Sequence, residues 1–258
     1  MDPTNPYEAP QAALEAVVAH DDGGFLGEPR ELPAGNGVQW IASAWQLVMA
    51  APGTWIAMSL LLMLVFFAAS LVPVAGGIIA NLMMPVLIGG FCLACDAQRR
   101  GETVPVGQLF AGFSTNAAQL VLIGVFYMLA TTILVVVALV AFFALGGFRM
   151  FRPDATPDAF ALPMIAAVVV VFALSIPMAM ANWFAAPLVA INGLPALEAM
   201  QLSFRACMRN IGAVVVCGLA GLGVAILASL PLFLGWLVAM PLLMATTYTA
   251  YRDNFHEP

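Results

Sequence analysis

The sequence predicts an all-α polytopic membrane protein with six transmembrane helices, arranged in three pseudo-repeats of an interfacial helix plus a helical hairpin. Of the 258 residues, 63% are hydrophobic and only 9% are charged, whereas a soluble domain carries about 25% charged residues. A surface so poor in charge faces lipid, and a helix needs roughly 20 apolar residues to cross the bilayer. Apolar stretches of that length recur along the chain, with short polar segments between them.

The first unit lies within residues 32–95, which contain no charged side chain. Residues 39–50 predict an interfacial helix, because large apolar residues and glutamines fall on opposite sides at helical spacing. The predicted apolar side comprises Trp40, Ala44, Trp45 and Val48. Tryptophan favours the level of the lipid headgroups, which suits a helix lying in the interface. Span one then covers 55–72 and span two covers 78–95, with a tight turn between them.

The second unit begins with a predicted interfacial helix at 106–117. Its predicted apolar face comprises Val106, Leu109, Phe110 and Phe113. Span three covers 119–145 and span four covers 162–191. Both are longer than the bilayer requires, so we expect them to tilt or to project beyond it.

The third unit begins with the clearest amphipathic pattern, at 197–209. The predicted apolar face comprises Leu197, Met200, Phe204 and Met208. The predicted polar face comprises Glu198, Gln201, Arg205 and Arg209. These two faces predict a third interfacial helix. Span five follows at 211–230 and span six at 232–251.

A proline followed by two aliphatic residues recurs in the second span of each unit, at Pro85, Pro187 and Pro241. A proline within a helix frees one carbonyl and kinks the helix. Because each unit has an even number of spans, the units share one orientation and their pseudo-symmetry axis runs along the membrane normal. Kinks at matching depth either open a cavity around this axis or only shape the packing, and both alternatives stand.

The membrane domain is predicted to span residues 38–253. Residues 1–37 predict a disordered acidic cytoplasmic tail, since they have too few large apolar residues to form a core, and residues 254–258 predict a short C-terminal tail. No signal peptide begins the sequence. Cytoplasmic loops are enriched in basic residues, which predicts a bacterial inner (cytoplasmic) membrane protein with both termini in the cytoplasm. The arginines then on the cytoplasmic side are Arg30, Arg99, Arg100, Arg205, Arg209 and Arg252, against Arg149 and Arg152 outside.

Polar chemistry within the spans is sparse. No span has an ionisable residue near its centre, which argues against a proton relay. Asn81 and Asn182 either act as structural glue beside the prolines or line a path for a substrate. The C-x-x-C spacing of Cys92 and Cys95 lies in an apolar span without a βαβ pattern, so it favours helix packing over redox or metal chemistry. The sequence predicts no catalytic residue, metal site or cofactor, and the lack of a basic patch argues against nucleic acid as a partner.

Several motifs carry a resemblance across most of the chain. They are NPYEAP at 5–10, LFAGF at 109–113, LPALEAM at 194–200 and LSFRAC at 202–207. On these motifs the chain resembles a family of uncharacterised six-span bacterial inner-membrane proteins. More distantly it is similar to YciC-type proteins and to the membrane domain attached to some glycerophosphodiester phosphodiesterases. The resemblance implies a fold and a location, and it implies no activity.

The leading functional hypothesis is a non-enzymatic membrane protein that organises lipid or partner proteins at the cytoplasmic leaflet. Three interfacial helices on one side and the absence of buried charge favour this hypothesis. The alternative is a transporter or channel for a small neutral or amphiphilic solute, with Asn81 and Asn182 lining its path. The expected partners are the lipid bilayer and either another membrane protein or a second copy of the chain.

Overall fold

The computed structural model describes residues 24–73, 75–152 and 158–257, without the side chains at 158–160, and this part of the chain is almost entirely helical. Its α-helices are α1 (Asn36–Ala50), α2 (Pro52–Ser70), α3 (Ala75–Arg99), α4 (Ala117–Ala144), α5 (Asp158–Trp183), α6 (Ala185–Asn192), α7 (Ala196–Arg209), α8 (Ile211–Ser229) and α9 (Trp236–Phe255). Two 3₁₀ helices are η1 (Val106–Phe113) and η2 (Gly147–Phe151). The coarse prediction of an all-helical protein is therefore confirmed.

Five helical segments in the described residues are long and apolar enough to cross a membrane. They are α2, α3, α4, α8 and the stretch Ala161–Asn192, which continues from α5 into α6. Large apolar side chains stand exposed along them, such as Phe67, Ile133 and Phe172 (66% exposed). Contiguous apolar surface of this extent is rare on soluble monomers, so these faces contact lipid. The sixth predicted span corresponds to α9, which is not among the five because its second half is rich in threonine and charged residues.

Helix boundaries follow local backbone signals that the predicted ranges missed. Pro52 stands at the start of α2. Backbone N–H groups in the first turn of a helix have no intrahelical acceptor, so a proline there costs no hydrogen bond. Helix α3 continues to Arg99, beyond the predicted end at Cys95. The predicted start of span six at 232 is wrong, because Leu232 and Phe233 adopt positive φ angles of 51° and 65° in a turn before α9.

The second predicted interfacial helix is a 3₁₀ helix rather than an α-helix, and it ends at Phe113 instead of residue 117. Residues three apart eclipse one another in a 3₁₀ helix, so Leu109 and Gly112 share one face, which is buried. Phe110 and Phe113 share another face and are exposed. The prediction of a single apolar face is therefore wrong, because it assumed the periodicity of an α-helix.

Helices α1 and α7 each have three faces, where the sequence predicted two. In α1, Trp40, Ala44 and Val48 are buried as predicted, but Trp45 is 47% exposed and lies beside exposed Val38 and Met49. The buried face of α7 consists of Ala196, Ala199, Leu202, Ser203, Ala206 and Cys207. Its predicted apolar face points outward, with Leu197 57% exposed. We call these outward apolar rows on α1 and α7 the exposed apolar stripes.

Each short helix packs against a long helix of a different predicted unit. Helix α1 packs on α9, η1 packs on α3, and α7 packs on α5 and α6. The largest fully buried side chains include Trp40, Trp55, Phe91, Phe184, Tyr248, Tyr251 and Phe255. The core therefore sits where the short helices meet the C-terminal ends of α3, α6 and α9.

The two ends of the described chain contact each other. The backbone N–H of Leu26 donates to the Phe255 carbonyl, and that of Arg30 donates to the Asn254 carbonyl, each at 2.9 Å. The side chain of His256 is buried, with Nε2 2.8 Å from the Tyr251 hydroxyl. Segments 24–37 and 254–257 thus contact each other and the helices of the described chain. Residues 1–23, with the NPYEAP motif and His20, lie outside the described residues.

Candidate functional site

The two asparagines singled out in the sequence line one cavity, which we call the asparagine cavity. Its volume is about 300 Å³, and it lies between α3, α4 and α5. Asn81, Pro85, Tyr127 and Asn182 are among the residues that line it. A predicted proline and both predicted polar residues are thus brought together within the apolar part of the protein.

Close approach of α4 to α3 shapes one wall of the asparagine cavity. Pro85 lacks an N–H, so the backbone carbonyl of Asn81, one turn earlier, has no helical donor. A Cβ at Gly124 of α4 would lie 2.8 Å from that carbonyl oxygen. Only a glycine therefore lets α4 pass this close to the freed carbonyl.

The two asparagine side chains differ in how they are satisfied. The Nδ2 of Asn81 donates to the Gly77 carbonyl at 2.9 Å, within its own helix. The Oδ1 of Asn182 is buried and accepts no hydrogen bond from any described residue. A buried acceptor without a donor costs about 1–3 kcal/mol. One residue of the cavity lining therefore carries a buried acceptor that has no donor among the described residues.

The three prolines do not produce three equivalent kinks. Pro85 and Pro241 lie inside α3 and α9, whereas Pro187 stands in the first turn of α6, after a break in the predicted fourth span. At this break the Phe184 N–H donates to the Ser203 hydroxyl at 2.9 Å, and that hydroxyl donates to the Met180 carbonyl at 2.6 Å. Ser203 thus inserts into the helical ladder, which is a known cause of kinks.

Ser203 is a residue whose role the sequence reasoning missed. It belongs to the LSFRAC motif and lies on the small-residue face of α7. The small residues on that face were the available signal, because a helix with such a face packs closely on its neighbour. A serine on a closely packed face has a buried hydroxyl, which needs a hydrogen-bond partner.

The predicted polar face of α7 is exposed and contacts the N-terminal segment. Arg205 Nη1 lies 3.8 Å from Glu28 Oε1, and Arg209 Nη2 lies 3.3 Å from Glu31 Oε1. Exposed pairs of this kind contribute little to stability. Glu198 and Gln201 are exposed as well, so the structure gathers these four residues on a solvated face.

A charge cluster around the buried carboxylate of Asp96 lies where α3 ends. The Tyr248 hydroxyl donates to Asp96 Oδ1 at 2.7 Å, and Arg99 Nε donates to the Tyr248 oxygen at 3.0 Å. Arg100 pairs with Asp96 and with Glu102. The hydrogen bond that Arg100 Nε donates to Glu102 Oε1 raises the pKa of the Arg100 guanidinium, so it remains charged. This cluster joins α3 to α9, and the sequence indicated it only through the i,i+3 and i,i+4 spacing of Asp96 and the two arginines.

The cysteines offer no accessible thiol. Cys92, Cys95, Cys207 and Cys217 are free and buried. The Sγ of Cys207 lies 3.6 Å from the Met180 carbonyl oxygen, at the break between α5 and α6. Their surroundings are those of packing residues, as the spacing of Cys92 and Cys95 in an apolar span favoured.

Comparison with known proteins places the chain in the membrane. It is 29% identical over 256 residues to a probable inner membrane protein of Burkholderia thailandensis, across 87% of this chain and 93% of that protein. No protein-family model matches the sequence, and no solved structure matches it. Together with the five apolar helices, this similarity identifies the chain as an integral membrane protein similar to one of a bacterial inner membrane.

Proposed function

We propose that the protein is a non-enzymatic organiser of lipid, or of a membrane protein partner, at the cytoplasmic leaflet of the inner membrane. The observation that carries this proposal is the exposed apolar stripe on α1 and on α7, which lies between a buried face and a polar face. A helix with an apolar face toward acyl chains and a polar face toward water lies in the plane of the interface. Such helices are held to the protein by their third face and are free to contact lipid with the stripe.

Six spans are part of this proposal, with α9 as the sixth. The backbone bonds between residues 26–30 and 254–255 bring the two ends of the described chain to the same side. Two points on one side of a membrane are joined by an even number of crossings, which favours six spans over five. The low apolarity of α9 has a physical reason, since Ala239, Leu242, Ala245 and Tyr248 are buried in protein.

The pseudo-repeat is also proposed, and the packing of the short helices supports it. Taking each unit as a short helix and two spans, the short helix of unit one packs on the second span of unit three. That of unit two packs on unit one, and that of unit three packs on unit two. This cyclic order is expected of three related units around an axis along the membrane normal.

The proposed orientation puts α1, η1 and α7 at the cytoplasmic face of the membrane. Arg30 donates to the His256 carbonyl and Arg99 to Tyr248, while Arg205 and Arg209 reach the N-terminal segment. Arg149 follows the far end of α4, whose 28 residues span about 42 Å. The basic excess at one end favours that end as cytoplasmic.

The proposed role is tested on the exposed apolar stripe of α7. Native mass spectrometry of protein released gently from its own membrane should detect a reproducible bound lipid or protein. The double substitution Leu197→Ser and Met208→Ser should abolish that signal, because serine removes the apolar contact while the buried face of α7 is untouched. Leu222→Ser in α8 is the matched control, since Leu222 is also 57% exposed. A wild-type protein that emerges as a bare monomer would contradict the role.

A second candidate function is passage of a small neutral or amphiphilic solute. The asparagine cavity favours it, because the polar residues Asn81 and Asn182 line a space of about 300 Å³ between apolar helices. Under this alternative, Asn182→Leu should slow solute uptake into vesicles that contain the protein. Uptake that is indifferent to this substitution would remove the candidate.

A further inference from the structure

A second cavity lies between α1 and the C-terminal ends of α3 and α9, and we call it the arginine cleft. Its volume is about 400 Å³. The residues that line the cleft include Arg30, Arg99, Arg252, Tyr248, Ser43 and Asp253. Three guanidinium groups from three separated parts of the chain therefore converge on one space.

The arginines of the cleft retain hydrogen-bonding capacity. Arg30 donates from Nη1 to the His256 carbonyl at 3.0 Å, and Arg99 donates from Nε to Tyr248 and from Nη2 to Asp96. No described carboxylate forms an ion pair with Arg252. A guanidinium carries five N–H donors, so most donors in the cleft are free for an incoming acceptor.

Neither carboxylate that lines the cleft forms an ion pair with its arginines in the described structure, and Asp96, which lies outside the lining 3.5 Å from Arg99 Nη2, is shared with Arg100. Asp253 Oδ2 accepts hydrogen bonds from Asn36 Nδ2 at 2.8 Å and from Trp40 Nε1 at 2.7 Å. Glu257, the other acidic residue of the lining, is exposed. Three arginines against two carboxylates leave the cleft with an excess of one positive charge, which suits an anion with several acceptor oxygens.

The proposed placement of α1 in the membrane interface puts the cleft at the level of the lipid headgroups. Helix α1 lines it with Gln39 and Ser43 from its polar side, while Val38 and Trp45 stand exposed on its apolar side. Exposed tryptophan on an interfacial helix marks the boundary between acyl chains and headgroups. The phosphates of the bilayer are therefore the anions nearest to the three arginines.

We propose that the arginine cleft binds a phosphate group, and that in the membrane this is the phosphate of an anionic phospholipid. Arginine forms paired, charge-assisted hydrogen bonds to phosphate oxygens, and the Tyr248 hydroxyl lines the same space. The cleft gives the proposed lipid-organising role, on which this inference rests, a specific headgroup chemistry.

The test uses the full chain and phosphatidylglycerol as the probe. Native mass spectrometry of delipidated protein titrated with phosphatidylglycerol should give about tenfold weaker binding for Arg252→Gln. Ser43→Trp, which fills the cleft at an exposed position and keeps every charge, should weaken binding as well. Arg209→Gln is the control, because it removes the same charge from the same end of the protein and should bind like the wild type.

Each outcome decides one point. Equal binding by Arg252→Gln, Ser43→Trp and the wild type overturns the cleft, and leaves the lipid-organising role intact if the α7 stripe variant still releases its lipid. A wild type that binds no phosphatidylglycerol overturns the cleft. The lipid-organising role fails only if the wild type is also released from its own membrane without bound lipid or protein. Competition by glycerol 3-phosphate at equal concentration overturns the lipid as the source and supports recognition of a soluble phosphate.

Discussion

Ser203 shows how much one hydroxyl can determine in a membrane protein. By accepting from Phe184 N–H and donating to the Met180 carbonyl, it replaces a helical hydrogen bond with a link between two helices. Without water in the bilayer core, freed backbone groups must be satisfied by the protein itself. The break between α5 and α6, and the seat of α7 against it, therefore depend on this side chain.

Replacement of Ser203 by alanine should destabilise the protein by about 1–3 kcal/mol, because the Met180 carbonyl and Phe184 N–H would lose their buried partner. Thermal unfolding in detergent measures this change. Ser175→Ala is the control, since its hydroxyl bonds only to Phe172 of its own helix and is exposed. If Ser203→Ala and Ser175→Ala unfold at the same temperature, the backbone at the break between α5 and α6 does not need the Ser203 hydroxyl.

Single residues were the scale at which the sequence was least informative. Asn81 and Asn182 were singled out from the sequence as polar groups within the spans, and the structure brings them to one cavity. Ser203 and Asp96 were not, because their partners Met180 and Tyr248 lie on other helices. No spacing within one helix encodes a partner supplied by another.

Two glycines determine how closely the 3₁₀ helix η1 approaches α3. A Cβ at Gly90 would lie 2.1 Å from the Leu109 carbonyl oxygen, and a Cβ at Gly112 would lie 2.2 Å from the Val86 carbonyl oxygen. The two backbones thus touch through reciprocal gaps, as small residues allow between membrane helices. This contact explains why η1 is held against the protein although both of its phenylalanines are exposed.

Substitution of Gly90 by alanine should push η1 away from α3 and cost about 1–3 kcal/mol, the usual range for overpacking. The same unfolding measurement in detergent applies. Gly107→Ala lies in η1 itself, where an added Cβ meets nothing within 4 Å, and should leave stability unchanged. If Gly90→Ala and Gly107→Ala unfold at the same temperature, the close approach of η1 to α3 does not constrain the fold.

At the level of elements, the periodicity of the sequence predicted which segments are helical and missed how the faces are used. Amphipathic spacing distinguishes apolar from polar residues, yet it cannot distinguish an apolar row that faces protein from one that faces lipid. Leu197 and Trp45 were therefore assigned by hydrophobicity alone, and both are exposed. In η1, the 3₁₀ geometry places Leu109 and Gly112 on one face against α3, and the α3 side of that contact lies outside the segment.

For the whole molecule, composition was sufficient to predict a polytopic membrane protein, because 9% charge cannot cover a soluble surface. The packing order of the short helices was not predictable, since it depends on contacts between distant units. The proposed topology of six spans with both ends of the domain in the cytoplasm is a whole-molecule property and has a direct test.

Single cysteines report this topology cleanly because the four native cysteines are buried. In intact cells, a membrane-impermeant maleimide should label Met150→Cys, which lies in η2 at the far end of α4. Glu28→Cys and Glu257→Cys, both at exposed positions, should react only after the membrane is opened. Labelling of one terminal position without the other would indicate an odd number of spans.

The pairing of α1 with α9 has a consequence for how the protein is made. Trp40 and Asp253 are joined by a hydrogen bond although they lie 213 residues apart. During translation, α1 is synthesised long before α9, so Trp40 lacks this hydrogen-bond partner until the last helix has been made. A chain that stops short of α9 never supplies Asp253, so the face of α1 that carries Trp40 stays incomplete in every such product.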